Sequence, residues 1–235
     1  HPRITLLTDF GTADGYVGAM KGVIASALPG ALIDDIAHDV PAGDVEAGAW
    51  ALGAYWRRYP PGSVHVVVVD PGVGTSRHAL ALEADGRFLV GPDNGVLTWA
   101  LRDAEHAGAT HAIRAPADAE VSATFHGRDV FAPAAARLAA GEGLEALGPR
   151  LDDIVRLPWP EPLRTAIGVD GVIVHVDRYG NLVTNIPADG AVDGGSVQME
   201  GLELAVRRAY GDVGPGDLIA YAGSRGLLEI ALRDG

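Results

Sequence analysis

Four ionisable side chains stand where chemistry is often done. Asp9 ends a strand-like run in Thr8-Asp9-Phe10-Gly11, Asp70 opens Asp70-Pro71-Gly72-Val73-Gly74, Asp93 sits in Gly91-Pro92-Asp93-Asn94-Gly95, and His126 lies in Phe125-His126-Gly127-Arg128-Asp129. Carboxylates and an imidazole brought together can accept a proton, hold hydroxyl groups or bind a cation. The glycines beside them let a ligand approach the backbone closely. Each residue alone also has a plain structural reading: Asp-Pro-Gly is a good turn sequence, and an Asp after a strand often caps the next loop.

What makes the four converge is the pattern around them. Ile4–Thr8, Ala31–Ile36, Val64–Val69, Phe88–Val90 and His111–Arg114 read as strands. They alternate with helical periodicity over Tyr16–Leu28, Asp44–Arg58, Val96–Ala104 and Arg128–Ala140. In the first helix Val17, Met20, Ile24 and Ala27 recur at helical spacing, with Asp14 as its expected cap. The β-branched run Val64–Val69 fits a strand covered on both faces. The alternation implies an α/β domain with an open, mainly parallel sheet, whose ligands bind beyond the carboxyl ends of the strands. Asp9, Asp70, Asp93 and His126 are all expected at that edge.

The connector Pro158-Trp159-Pro160-Glu161-Pro162 is stiff and extended. It sets the expected division: residues 1–157 as the α/β domain, 158–165 as a linker and 166–235 as a small all-β, barrel-like domain. The last segment consists of short β runs broken by glycine. It carries two polar clusters, Asp177-Arg178-Tyr179-Gly180-Asn181 and Ser224-Arg225. The first reads equally as a hairpin turn. The second reads as a solvated turn or as a clamp for a carboxylate.

Composition removes several function classes. With 18 Lys+Arg against 31 Asp+Glu the net charge is −13, unsuited to a nucleic-acid face. Lys21 is the single lysine, which disfavours a polybasic membrane anchor. Without cysteine there is no thiolate chemistry and no Cys-ligated metal. No apolar run is long enough to span a bilayer, and a cytoplasmic protein is the expectation.

Taken in order, these motifs, with Asp14 and Tyr16-Val17-Gly18 added, resemble the S-adenosylmethionine hydroxide adenosyltransferases, relatives of the fluorinases and chlorinases. The likeness runs along essentially the whole chain. It implies hydrolysis of S-adenosylmethionine to adenosine and L-methionine by water attacking C5′, without metal or cofactor. It also implies a homotrimer with each site shared between one subunit's N-domain and a neighbour's C-domain. Position by position, Asp70, Arg77 and His126 match a catalytic trio, in which Arg77 keeps Asp70 ionised by charge pairing. Asp9 would take the ribose hydroxyls, Asp14 and Asp177 the methionine ammonium, and Ser224 with Arg225 its carboxylate. Asn181 would read the adenine edge, with Tyr210 and Tyr221 as aromatic walls. Where the halogenating relatives carry Tyr, Ser, Thr and Trp, this chain has Asp70, Gly127, Val73 and Gly43. A buried carboxylate repels halide and attracts water. One ribose-contacting Asn of the halogenases falls near Pro158 here.

Other readings compete. A halide-dependent 5′-haloadenosine synthase of the same family is one. A metal-dependent nucleoside hydrolase is another, but Asp14 is followed by Gly15, leaving few oxygen ligands for Ca²⁺. A non-catalytic adenosyl-binding protein would have no use for Asp70, Arg77 and His126 together.

Overall fold

A computed structural model describes residues 1–115, 120–188 and 195–235. The chain divides into two compact units, His1–Leu157 and Pro158–Gly235.

The first unit holds β1 (Arg3–Thr8), α1 (Tyr16–Ala27), β2 (Leu32–Ala37), α2 (Val45–Tyr55), β3 (Val64–Val68), β4 (Ala79–Ala84), β5 (Arg87–Pro92), α3 (Thr98–Arg102), β6 (Ala107–Ala112), α4 (Ala132–Ala139) and β7 (Arg150–Leu151). Strand order is β2-β1-β3-β5-β4-β6-β7. All of β3 is buried because both its faces are covered. Val64, Val66 and Val68 pack with α1 and α4 residues such as Met20, Ile24, Ala135 and Leu138. Val67 and the following Val69 pack with Leu52, Trp56 and Leu97. Helices on both faces bury the whole β-branched run.

The sheet is mixed rather than mainly parallel. β2, β1, β3 and β5 run parallel, whereas β4, β6 and β7 are joined on through successive antiparallel pairings. The cause is local. Asp85 and Gly86, with φ of 48° and 70°, form the two-residue turn that joins β4 to β5, and Asp-Gly is a strong hairpin signal. The segment expected as one helix over Arg128–Ala140 begins as a π-helical turn, Gly127–Phe131, before α4. Pro133 has no N–H to donate, so the hydrogen-bond ladder changes pitch beside it. Asp14 does not cap α1; Gly15, in the left-handed region at φ 76°, occupies that position without a side-chain bond.

The second unit contains β8 (Leu163–Arg164), β9 (Val169–Asp170), β10 (Ile173–Val176), β11 (Leu182–Pro187), β12 (Ser196–Met199), β13 (Leu202–Arg207), β14 (Leu218–Ala222) and β15 (Leu227–Leu232). Six of these form one sheet in the order β10-β11-β15-β14-β13-β12. Among the described residues its edge strands β10 and β12 do not pair, so the all-β expectation holds while a closed barrel is not reached. Alternation along β14 sends Ala220 to the face shared with Leu204, Val206, Leu228 and Ile230. Ile219 and Tyr221 go to the other face with Ala231. Among the described residues no helix is long and apolar enough to cross a membrane.

Candidate active site

In the first unit, the loops leaving the carboxyl ends of β1 and β3 deliver Asp9 and Asp70 to one cleft of about 370 Å³. Phe10, Gly43, His126 and Gly127 also line it. Asp9 is held by its Oδ2, which accepts from the Gly43 N–H at 2.8 Å. Gly43 has φ 73°, a conformation open to glycine and costly for a side chain. Phe10, Tyr16 and Phe125 meet edge-to-face, Tyr16 to Phe125 at 5.1 Å and Phe10 to Phe125 at 5.9 Å.

The loop after β3 curls tightly. Val73 N–H donates to Asp70 O at 3.2 Å, and the Thr75 hydroxyl donates to Gly72 O at 2.7 Å. A Cβ on Gly74 would lie 2.5 Å from Ala123 O, so only glycine lets the loop pack there. The curl returns Arg77 onto Asp70. Arg77 Nε donates to Asp70 Oδ1 at 3.0 Å and Nη2 to Oδ2, a bidentate pair. The pair is nearly buried, the side chains being 10% and 5% exposed. Nη2 also reaches His126 Nδ1 at 2.9 Å. A guanidinium can only donate, so Nδ1 is the acceptor and the proton of neutral His126 sits on Nε2. Burial, reinforced by the Arg77 charge, holds the imidazole below the usual histidine range, against the opposing pull of Asp70 and Asp129. The arrangement presents a neutral N–H donor and a carboxylate to the same cleft.

The remaining acids separate. Asp93 is outside the cleft lining; its Oδ1 accepts from the Val155 N–H at 2.8 Å and anchors the end of the first unit. Its expected place at the site is corrected to a structural one, because a buried carboxylate beside free backbone N–H groups binds them first. Asp14 is exposed and also outside the lining.

In the second unit, Asp177 closes a hairpin turn. Its Oδ1 accepts from Tyr179 N–H and Asn181 N–H at 2.8 and 2.9 Å, and its Oδ2 from Asn181 Nδ2 at 2.8 Å. Asn181 and Tyr210 line a cleft of about 760 Å³ with Arg178, Leu232 and Arg233. Tyr210 and Tyr221 hydroxyls lie 2.7 Å apart, and Tyr221 donates to Glu229 Oε2 at 2.7 Å. Burial and these bonds raise the Tyr221 phenol far above its ordinary range. Ser224 and Arg225 occupy the β14–β15 turn, closed by Gly226 N–H to Gly223 O at 3.0 Å. Neither residue is part of the 760 Å³ cleft's lining. Sequence reasoning missed Phe10, Phe125 and Thr124 as walls of the first cleft; all three are neighbours of motif residues, which was the available signal.

Comparison with known proteins gives the same family for both units. The SAM hydroxide adenosyltransferase N-terminal domain matches residues 4–148, and the corresponding C-terminal domain matches residues 171–235. This chain belongs to the SAM hydroxide adenosyltransferase family. Within the family it is 41% identical over 253 residues to the (R)-S-adenosyl-L-methionine hydrolase of Salinispora tropica, spanning 100% of the chain and 91% of that protein. The enzyme of the same name from Thermus thermophilus is 42% identical over 243 residues, covering 99% and 92%. A fluorinase from an Actinoplanes species is more distant, 30% identical over 270 residues, with coverage of 98% and 91%. The crystal structure of an uncharacterized conserved protein from Thermotoga maritima superposes with a TM-score of 0.89 at 38% identity, over 97% of this chain and 92% of that one. In this adenosyltransferase the described residues contain no group of three or more His, Cys, Asp or Glu able to hold a metal ion.

Proposed function

We propose that the protein hydrolyses S-adenosyl-L-methionine to adenosine and L-methionine. The observation that carries this reading is the Asp70–Arg77–His126 cluster: Arg77 bonds both partners, and Asp70 and His126 both line the cleft. The sulfonium is already a good leaving group and needs no acid. A water hydrogen-bonded by Nε2–H of His126 gives its proton to Asp70 as its oxygen bonds C5′. The C5′–S bond breaks and its electron pair returns to sulfur, releasing methionine as a neutral thioether. General-base help is worth about 10²–10⁴ in rate, and alignment in a dry pocket adds to it.

Within this reading Asp9, its Oδ2 fixed by Gly43, takes the ribose hydroxyls. Asp14 and Asp177 take the methionine ammonium, and Ser224 and Arg225 its carboxylate. Asn181 reads adenine between Tyr210 and Tyr221. The working enzyme is a cytoplasmic homotrimer that uses no cofactor, with N- and C-terminal residues of a site supplied by different subunits. Gly127 favours water over halide: a Cβ there would lie 3.2 Å from Met20 Sδ and from the Phe10 ring, leaving little room for the Ser of the halogenating relatives. The test is incubation with S-adenosylmethionine in halide-free buffer containing chelator, followed by chromatography. Equal adenosine and methionine are expected; strict dependence on chloride or fluoride, with 5′-haloadenosine as product, overturns the reading.

A further inference from the structure

β1 and β2 run parallel in simple register from Arg3↔Leu32 to Leu6↔Asp35, and then slip: Leu7 pairs with Ala37, so Ile36 is an extra residue in β2. Bulges beside sites re-aim side chains. Without the slip, His38 would stand level with Asp9; with it, His38 comes level with Thr8. There it is buried, 7% exposed, with both ring nitrogens engaged. Nδ1 lies 2.9 Å from Thr8 Oγ1, and Nε2 lies 3.0 Å from Asp35 Oδ1. Asp35 is in turn paired with Lys21 Nζ at 2.5 Å, and bonds from Lys21 and His38 outweigh burial to lower its carboxyl below the usual range.

The chain of bonds ends on the cleft loop. Phe10 N–H donates to Thr8 Oγ1 at 3.2 Å, and Gly11 N–H donates to the His38 carbonyl at 2.7 Å. Thr8 is fully buried, so its hydroxyl proton needs an acceptor, and the unprotonated Nδ1 of His38 provides it. One arrangement satisfies every group: Phe10 N–H to Thr8, Thr8 O–H to His38 Nδ1, His38 Nε2–H to Asp35. We infer that His38 is a positioning residue for the reaction, fixing the Thr8–Gly11 loop so that Asp9 and Phe10 face the substrate. It touches no reacting atom. The role rests on the reading of Asp9 as the ribose ligand for its chemical meaning, and on the hydrogen bonds for its existence.

The test is the KM for S-adenosylmethionine, since loosening the loop removes substrate contacts. His38→Ala should raise KM by about 10–100-fold, the scale of a misplaced binding group. His38→Asn, whose amide falls near the Nδ1 position, should recover most of that loss; His38→Gln, which reaches only toward Asp35, should not. Thr8→Val cuts the same bond from the other end and should match His38→Ala, and it serves if the alanine variant does not fold. A KM within twofold of wild type in the folded alanine or valine variant overturns the inference, as does Asn being no better than Gln. A 2′-deoxyribose substrate analogue separates the two readings. If Asp9→Asn leaves discrimination against that analogue unchanged, the assignment of Asp9 fails, while the KM series still decides on His38.

Discussion

Arg77 Nη2 donates to His126 Nδ1 at 2.9 Å and also to Asp70 Oδ2, while Nε of the same guanidinium donates to Asp70 Oδ1. One cation therefore fixes the tautomer of the imidazole and the orientation of the carboxylate together. Nδ1 is occupied by a group that can only donate, so the neutral imidazole carries its proton on Nε2.

Asp70→Ala, Arg77→Ala and His126→Ala should each lower kcat by about 10²–10⁴ while changing KM little, because the three act on the transition state. Double variants should lose less than the product of the single losses. Steady-state kinetics on the purified variants measures this, and near-wild-type kcat in all three would remove the assignment.

Acid should destabilise the first unit through His65. Its Nδ1 lies 2.9 Å from Thr5 Oγ1, Tyr55 and Tyr59 rings flank it at 5.4 Å, and Nε2 has no partner among the described residues. Burial, with Arg87 nearby, pushes its pKa down to about 3. The folded value lies below the unfolded one, so between about 3 and 6.5 the unfolded chain binds the extra proton and stability rises with pH. Above that window the contribution is complete. Lowering pH from 6.5 to 5 should cost about 2 kcal/mol from this group. Urea unfolding across the window in wild type and His65→Phe checks it; equal slopes would count against His65.

Asp93→Ala should separate structure from catalysis. Loss of the part-buried bond from Val155 N–H to a carboxylate should cost about 1.5–3 kcal/mol. Turnover of the folded variant should stay within about threefold of wild type, since the carboxylate lies outside the cleft. A selective collapse of kcat with unchanged stability would return Asp93 to the site.

The proposed sharing of each site between subunits can be tested with mixed oligomers. Asp70→Ala and Arg225→Ala should each be inactive alone, the latter because a lost charged partner costs about 1.5–3 kcal/mol. After equimolar subunit exchange, about a quarter of wild-type activity should return if the two residues come from different subunits. A monomer in sedimentation, or no recovery after verified exchange, means that one chain supplies both.

Periodicity alone determined the two-face burial of β3 and the helices that cover it, because a continuous β-branched run such as Val64–Val69 has few other ways to be buried. The ordered motifs carried the family, and with it the choice of Asp70, Arg77 and His126. The mixed sheet follows from Asp85-Gly86, a local hairpin signal that reverses the chain between β4 and β5. Only the tertiary structure decided which carboxylates share a cleft. Asp9 and Asp93 look alike in sequence, each an Asp at a strand end beside glycine. Asp9 finds the Gly43 N–H and keeps its place at the cleft, whereas Asp93 is taken by Val155, sixty-two residues away. The same holds for His38, whose level is set by a one-residue slip between two strands. Long-range partners and register depend on three-dimensional closure, and no local pattern of residue types encodes them.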